Sequence, residues 1–501
     1  MPYANTSADE ASTGRLAPGA SSLEIGRAEA HALARQAWRM GKRAVQLRRF
    51  RGFWRRDQER LRSTSPEKLR ADQVEKLRRL ATFAAAKIPY YRDLFRAAAV
   101  RPDRMTRDDL RRLPLLTRDV IRANFPDRLV HPGRRFRPWM LGRTSGSTSE
   151  SLSFIRPDDR FRRSLYYSVL LRTGGRTDVQ VFVLSTPICT PNTCSLTPQD
   201  DGHRRLARRL HRLEPIRHFG GMVGLPASAA NILTAPDSLF DEIRRQLEDA
   251  GPSILVADPV YLGAFARSLK ARGLAAPRLG AIISTYELLT PTVKGLLDEV
   301  FGAPIAEQYG SSEINDIADM CEAGHLHVRM DEVIVETLRD GRPALPGELA
   351  RVVVTDLRNF NMPFIRYDIG DVVRVAEEEP CPCGRRSQRL GAVEGRASDH
   401  LDVGGRVVTP REIDALFLGV EGLAAYEWRH TGARRFRIAL MPDRGSALDL
   451  ERASAEVEAR AVRLLGDVRL RFSAVEEVRP RASNKFRFVH GGGGAEAVRA
   501  G

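Results

Sequence analysis

The sequence predicts an α/β fold in two parts, a large N-terminal domain of several subdomains and a small α+β domain behind it. Three observations carry that prediction. The chain has 501 residues, more than one ordinary domain holds. Through its middle, short apolar runs alternate with helical patterns, as in strands joined by crossover helices. Near residues 376–389 the composition turns polar, with proline and cysteine, before a smaller α/β pattern resumes.

Taken in order, the opening MPYANTSADEASTGRLAPGASS has neither a basic start nor an apolar core, so it predicts a disordered leader and not a signal peptide. RMGKRAVQLRRFRGFWRRDQERLR (39–62) predicts a basic amphipathic helix with a solvated face, its arginine stems lying along the surface. Residues 1–51 are therefore expected to form a leader and a basic helical extension, and 52–395 the large domain. Over 52–95 apolar residues recur at helical spacing through VEKLRRLATFAAAKIPYY, and Pro89 ends the pattern. In LPLLTRDVIRANF (113–125), Thr117 is placed to cap a short helix. VQVFVLS (179–185), SILVADP (253–259), LGAIIST (279–285) and APIAEQYG (303–310) predict buried strands. PVYLGAFARSLKARG (259–273) and TPTVKGLLDEVFG (290–302) predict helices between them. That order calls for a largely parallel sheet, whose ligands sit beyond the carboxyl ends of its strands. STYELLTP (284–291), EQYGSSE (307–313) and, after the strand ELARVVVTDL (348–357), RYDIGD (366–371) are expected there. The small domain is expected over 396–490, and GGGGAEAVRAG (491–501) as a flexible tail.

A net charge of +17 raises nucleic acid and anionic membranes as partners. Lysine, however, stands at only seven positions (42, 68, 76, 87, 270, 294 and 485), so 73 of the 80 basic residues are arginine, spread along the chain. Such a skew is a compositional bias. No nucleic-acid motif with interleaved aromatics accompanies it, and neither partner is expected. No run approaches the roughly 20 apolar residues of a membrane span. Five cysteines, at 189, 194, 321, 381 and 383, are too few for a disulfide framework; they predict reduced thiols, a cytoplasmic location and room for a metal site.

RTSGSTSES (143–151) packs six hydroxyl residues and one glycine into nine positions. Hydroxyl and backbone N–H groups around a glycine suit an anion, although an ordinary turn explains most such loops taken alone. It is not a Walker loop, because no Gly-Lys-Ser/Thr follows.

The ordered set is more specific than the loop. TSGST (144–148), STYELLTP, EQYGSSE, RYDIGD, EGRASD (394–399) and SNKFRF (483–488) resemble, in sequence and order, the adenylate-forming enzymes, the superfamily of acyl-CoA synthetases and adenylation domains. AAAKIPYYRDLFRAAAVRPDRMTRDDLRRLPLLTRDVIRANFP (84–126) and CPCGRRSQRLGAVEGRASDHL (381–401) resemble its phenylacetate–CoA ligase branch, which has relatives in capsule and natural-product pathways. The resemblance covers roughly 52–490 and implies a large adenylation domain with a small mobile C-terminal domain. It implies attack of a carboxylate oxygen on the α-phosphorus of ATP, then transfer of the acyl group to coenzyme A. An aromatic or similarly planar acid is the implied substrate. An amine, a carrier protein or a small inorganic acid stays open as a variation, and a homodimer is compatible with the family.

The resemblance also implies roles. Ser145, Gly146, Ser147 and Thr148 would hold polyphosphate. Asp371 would accept from the ribose hydroxyls with Arg396 supporting it. Ser284, Thr285, Tyr286 and Glu287 would lie beside adenine, and Gln308, Tyr309, Gly310 and Ser311 against adenine and the acyl group. Glu313 would help hold Mg²⁺. Lys485 would be the catalytic lysine, a compact ammonium able to donate to both the carboxylate and the α-phosphate. Asp399 would be the hinge. Two departures stand out: Ser149, Glu150 and Ser151 replace the usual Gly-x-Pro, and Asn484 replaces the glycine common before the lysine.

Cys321, Cys381 and Cys383 with His327 would suit tetrahedral Zn²⁺, with His325 the competing ligand. Their C-x-C and C-x5-H spacings are not those of common zinc fingers, but similar positions in the resembled family carry a structural zinc. Tyr166, Tyr167, His218 and Phe219 are candidates for the acyl pocket. A basic, non-enzymatic binding protein with a decayed adenylation fold is the contrasting reading.

Overall fold

The computed structural model describes residues 51–133, 139–144, 152–157, 167–176, 179–186, 222–227, 231–377, 379–481, 484–491 and 498. The expected leader up to residue 50, the hydroxyl-rich loop with Ser145–Thr148 and Glu150, Tyr166, His218, Phe219, Cys189, Cys194 and most of the tail lie outside the described residues. The chain divides into one unit ending at Asp57, of which 51–57 are helical, and a second from Gln58 onward.

In the second unit, local signals set where helices start. Ser65 accepts from the Lys68 amide, Pro66 stands in the first turn, and α1 (Pro66–Lys87) follows. The pattern over 52–95 is thus broken at Ser65, where sequence periodicity predicts one helix. Ile88 is extended, as a residue before proline must tend to be, and Pro89 opens α2 (Pro89–Ala97). A capping box of Thr106 and Asp109 begins α3 (Arg107–Arg112), and Thr117 caps α4 (Arg118–Asn124) as its sequence predicts.

An antiparallel ribbon, β1 (Trp139–Arg143) with β2 (Ser153–Pro157), precedes the main sheet. There β3 (Val181–Leu184), β4 (Met222–Gly224), β5 (Ser253–Ala257), β6 (Leu279–Ser284) and β7 (Ile305–Ser311) are all parallel. The helices α5 (Asp237–Ala250), α6 (Pro259–Ala271) and α7 (Pro291–Phe301) connect them. β8 (Asn315–Met320) and β9 (Leu326–Val328) then turn back antiparallel. Alternation sorts the strand side chains. Phe182, Leu184, Leu255, Ala257 and Ile282 enter the core shared with α5, α6 and α7, while Val181, Val183, Ile254, Val256 and Ile283 form the core of the other face. Both faces are buried, which is why these strands read as continuous apolar runs.

A second, antiparallel sheet accompanies the largely parallel one and corrects the placement expected for RYDIGD. β10 (Val333–Arg339), β11 (Arg342–Pro343), β12 (Leu349–Asp356), β13 (Tyr367–Arg374) and, after β14 (Arg389–Leu390), β15 (Val393–Arg396) pair antiparallel in the order β11-β10-β12-β13-β15. β14 instead joins the edge of the main sheet beside β9. RYDIGD therefore runs into strand β13 and not into a loop beyond a strand. Its Tyr367, Ile369 and Val373 are buried with α1–α4 in one core.

The C-terminal part has its own sheet and core. β16 (Leu401–Val403) and β17 (Arg406–Val408) pair, and Thr409 caps α8 (Pro410–Ala415). β18 (Leu423–Gly432), β19 (Arg435–Pro442), β20 (Arg469–Ala474) and β21 (Val489–His490), with α9 (Leu450–Leu465), enclose Trp428, Phe436, Ile438 and Val457. Among the polar contacts that tie this part to the main sheet's helices, the Thr292 amide and hydroxyl donate to buried Asp414, as does the Tyr426 hydroxyl from within the C-terminal part.

Gly391 separates β14 from β15 where backbones nearly touch; a Cβ there would lie 1.5 Å from the Arg374 carbonyl oxygen. Gly391→Ala is expected to destabilise the fold by about 2 kcal/mol, read as a lowered urea midpoint at unchanged slope.

Candidate active site

The carboxyl ends of β5, β6 and β7 open into a cleft of about 300 Å³. Ser284, Thr285, Tyr286 and Glu287 line it from β6, and Gln308, Tyr309, Gly310, Ser311 and Glu313 from β7 and the turn after it. Asp371 and Arg396 enter from the antiparallel sheet, where they are register partners on β13 and β15. Lys485 comes from the C-terminal part, with Asp399 also on the wall. Segments as far apart in sequence as Arg118 and Val489 thus share one space.

The nucleoside-binding candidates are already organised. Arg396 Nε stands 2.9 Å from Asp371 Oδ1, and the Tyr309 hydroxyl donates to Asp371 Oδ2 at 2.9 Å. Arg396 also donates to the Ile369 carbonyl at 2.7 Å. Asp371, foremost, raises the Arg396 pKa, while burial and then Asp371 raise that of Tyr309; the phenol remains a donor. Glu313, 3 % exposed, accepts from the Tyr367 hydroxyl at 2.7 Å and lies 3.8 Å from Arg118. Gly310 is required by packing, since a Cβ there would fall 1.7 Å from the Asn315 carbonyl oxygen.

Lys485 Nζ donates to the Tyr286 carbonyl at 2.9 Å. Two carboxyl groups share its field. Asp258, fully buried at the end of β5, caps α6 through the Val260 amide at 3.0 Å, and its Oδ2 has no partner among the described residues. Burial pushes its pKa up to about 6 against the pull of Lys485. Burial, reinforced by Asp258, also holds Glu287 well above the ordinary carboxylate range. At both acids the Lys485 charge works against the rise that burial causes.

Backbone conformation is unusual here. Tyr286 (φ 78), Asn315 (φ 71) and Asn484 (φ 56) occupy the left-handed region. The value at Asn484 explains the sequence departure: the position needs positive φ, and asparagine tolerates it better than most side chains. At Tyr286 the same conformation turns the carbonyl toward Lys485.

A second cluster lies where β8, β9 and the segment before β14 meet. One ligand atom each from Cys321, His327, Cys381 and Cys383 lies within 4.8 Å of every other. Cys321 Sγ and Cys381 Sγ are 3.7 Å apart, Cys383 Sγ and His327 Nε2 3.4 Å. Tetrahedral Zn²⁺ at its usual bond lengths needs separations of about 3.8 Å for S···S and about 3.5 Å for S···N. His327 Nδ1 is 3.1 Å from Ser387 Oγ, the outer partner that fixes a ligating imidazole. His325 Nδ1 approaches Cys381 Sγ at 3.3 Å from outside this set.

No family model matches the chain. Over 370 residues, 71% of this chain and 76% of the relative, it is 25% identical to a phenylacetate-coenzyme A ligase of Thermus thermophilus. Over 378 residues, 73% and 79%, it is 22% identical to the phenylacetate-coenzyme A ligase of Escherichia coli. The chain is a homologue of these acid–thiol ligases. A shorter stretch of 121 residues, 24% of this chain and 26% of the relative, is 26% identical to Protein CapK of Staphylococcus aureus. The fold is that of 2-hydroxyisobutyryl-CoA ligase in the postadenylation state, in complex with R3-HIB-AMP: TM-score 0.68, 19% identity, 86% of this chain and 91% of that one. The same enzyme in the thioesterification state, with 2-HIB-AMP and CoA, gives a TM-score of 0.53 over 86% and 91% at 18% identity.

Against this homology, the cleft collects every sequence-predicted nucleotide residue that is described, together with Lys485, Asp399 and Glu313. Tyr167 is different. It lies in a polar core, its ring 3.4 Å from the Arg329 guanidinium and its hydroxyl 2.6 Å from Gln58 Nε2, and does not line the cleft. Sequence reasoning missed Asp258, Arg118, Arg156, Asn315 and Arg487. Asp258 had a signal, as the last residue of a strand run before the helix-opening Pro259; the others had none.

Asp258 yields a pH prediction. Its folded pKa lies above the ordinary 3.8, so its ionisation counts against the fold above pH about 6, and that cost disappears as pH falls toward 4. Asp258→Asn keeps the helix cap and removes the cost. The variant is expected to gain on the order of 1–3 kcal/mol relative to wild type at pH 7–8 and nothing at pH 4, measured as the pH dependence of the difference in unfolding free energy.

Proposed function

We propose that this protein activates a carboxylic acid with ATP, forming an acyl-adenylate and pyrophosphate, and then passes the acyl group to coenzyme A. The observation that carries the reading is the arrival of Lys485 in the same cleft as the Asp371–Arg396–Tyr309 triad. One side of the cleft is built to hold a ribose and the other to neutralise negative charge. Asp371 accepts from the ribose hydroxyls, kept in position by Arg396 and Tyr309. Ser284, Thr285, Gln308 and Gly310 form the walls against the base and the acyl group. Lys485, aimed by the Tyr286 carbonyl, donates to the carboxylate and α-phosphate as charge builds there. Mg²⁺ at Glu313 would offset triphosphate charge.

For thioester formation the C-terminal part, residues 396–490, must swing as a mobile domain about Asp399, withdrawing Lys485. In this structure Asp399 Oδ1 is 2.5 Å from Arg487 Nη2, and Arg487 also donates to the Ser398 carbonyl at 2.8 Å. That clasp must open for the swing. An aromatic or planar acid in a specialised biosynthetic pathway fits the homology, and the cytoplasm suits the reduced thiols. Among the described residues no helix is long and apolar enough to cross a membrane.

Hydroxylamine trapping with and without coenzyme A tests the two half-reactions. Lys485→Ala is expected to lower ATP–pyrophosphate exchange by about 10²–10³ while the melting temperature holds; exchange at the wild-type rate in that variant would sink the role. Zn²⁺ would act in structure alone, holding the segment of Cys381 and Cys383 against Cys321 after β8 and His327 on β9. Metal analysis is expected to find one zinc per chain, and chelation to lower the melting temperature without changing KM for ATP.

A further inference from the structure

The roles above leave a cation on the cleft wall unused. Arg481 lines the cleft from the C-terminal part and is partly exposed. Its amide donates to the Lys485 carbonyl at 2.9 Å and the Asn484 amide to the Arg481 carbonyl at 2.8 Å, with Asn484 at φ 56. These bonds close a tight hairpin. Residues 481 and 485 are thereby set opposite each other, their side chains on one face and their Cβ atoms about 5 Å apart. The Arg481 guanidinium makes no hydrogen bond or ion pair among the described residues. Four charges reach it at longer range: Arg487 and Arg396 repel it, Asp399 and Glu287 attract it. Asp399 is already clasped by Arg487, and burial holds Glu287 toward its neutral form. Arg481 therefore keeps its donors for a ligand in the cleft.

We propose that Arg481 binds the α-phosphate of ATP and neutralises part of the charge that builds there during adenylation. The inference rests on the acid-activating reading of the cleft and adds a catalytic residue to it. Position selects the α-phosphate among the oxyanions that reading brings in. Across the hairpin from Arg481 stands Lys485, assigned to the α-phosphate and the acid's carboxylate. Within its electrostatic reach on the other side is Arg396, which pairs with Asp371 where the ribose is held. The group that lies between ribose and carboxylate is the α-phosphate. As the acid's oxygen bonds to the α-phosphorus, the bond to the bridging oxygen breaks and pyrophosphate leaves with the electron pair. Negative charge then gathers on the two outer oxygens of the α-phosphate, and the planar fork of a guanidinium matches two such oxygens. Arg481 and Lys485 ride on the same part of the chain, so the swing that withdraws one withdraws the other.

The test is ATP–pyrophosphate exchange by the full chain, with the acid that supports the fastest wild-type exchange, joined to calorimetric titration with ATP and with AMP. Arg481→Gln is expected to lower kcat for exchange about 10²-fold and to leave KM for the acid unchanged. It is expected to weaken ATP and AMP binding by one common factor of about ten, while the melting temperature holds. Arg481→Lys is expected to restore part of each loss. ATP binding weakened with AMP binding unchanged overturns the proposal, since the guanidinium then serves the β- or γ-phosphate. A rise in KM for the acid alone also overturns it, since the guanidinium then holds the acid. So does a loss that is equal in Arg481→Lys and comes with a lowered melting temperature, which assigns Arg481 to the hairpin's structure. Wild type that neither binds ATP nor exchanges pyrophosphate overturns the acid-activating reading and this proposal together, whereas wild-type exchange that Arg481→Gln retains in full overturns this proposal alone.

Discussion

The bond from Lys485 Nζ to the Tyr286 carbonyl is the contact on which the site depends. It joins the segment before β21 to the turn after β6, and so links the C-terminal part to the main sheet. Burial raises the pKa of Asp258 to about 6 and holds Glu287 well above the ordinary carboxylate range, and at both acids the Lys485 charge works against that rise. Without that charge nearby, burial would favour their protonated forms further.

Around that contact the two sheets divide the labour. The parallel sheet ends its central strands together, so residues following β5, β6 and β7 necessarily gather at one edge. The antiparallel sheet contributes Asp371 and Arg396 from within strands, where pairing across β13 and β15 sets their separation. A site built on paired strands holds its geometry more tightly than one built on loops. The clasp of Asp399 and Arg487 and the knot at Asp414 are the opposite kind of element, polar contacts that a domain movement can break.

The metal cluster shows a similar economy. Cys381 and Cys383 come from a polar segment with no regular structure, which could not bury enough apolar surface to order itself. Its ordering depends on Cys321 and His327 at the edge of the main sheet, and on β14 pairing beside β9. The Cys321, His327, Cys381 and Cys383 ligand atoms, within 4.8 Å of one another, could hold a metal ion that would fix that segment against the sheet edge.

Much of the fold was legible in the sequence because its signals are local. The cap at Thr117, the prolines opening α6 and α7, and apolar runs for β3, β5, β6 and β7 depend only on near neighbours. Motif order was enough to single out residues from Ser284 to Lys485 that the fold brings to one cleft. Tertiary structure alone decided that RYDIGD is a strand, because antiparallel pairing with distant β12 and β15 is not written in its own residues. It alone decided that Tyr167 packs under Arg329 and that Arg156 and Asn315 face one space. Those positions follow from long-range register and burial, which set side-chain environments without leaving a periodic trace in the chain.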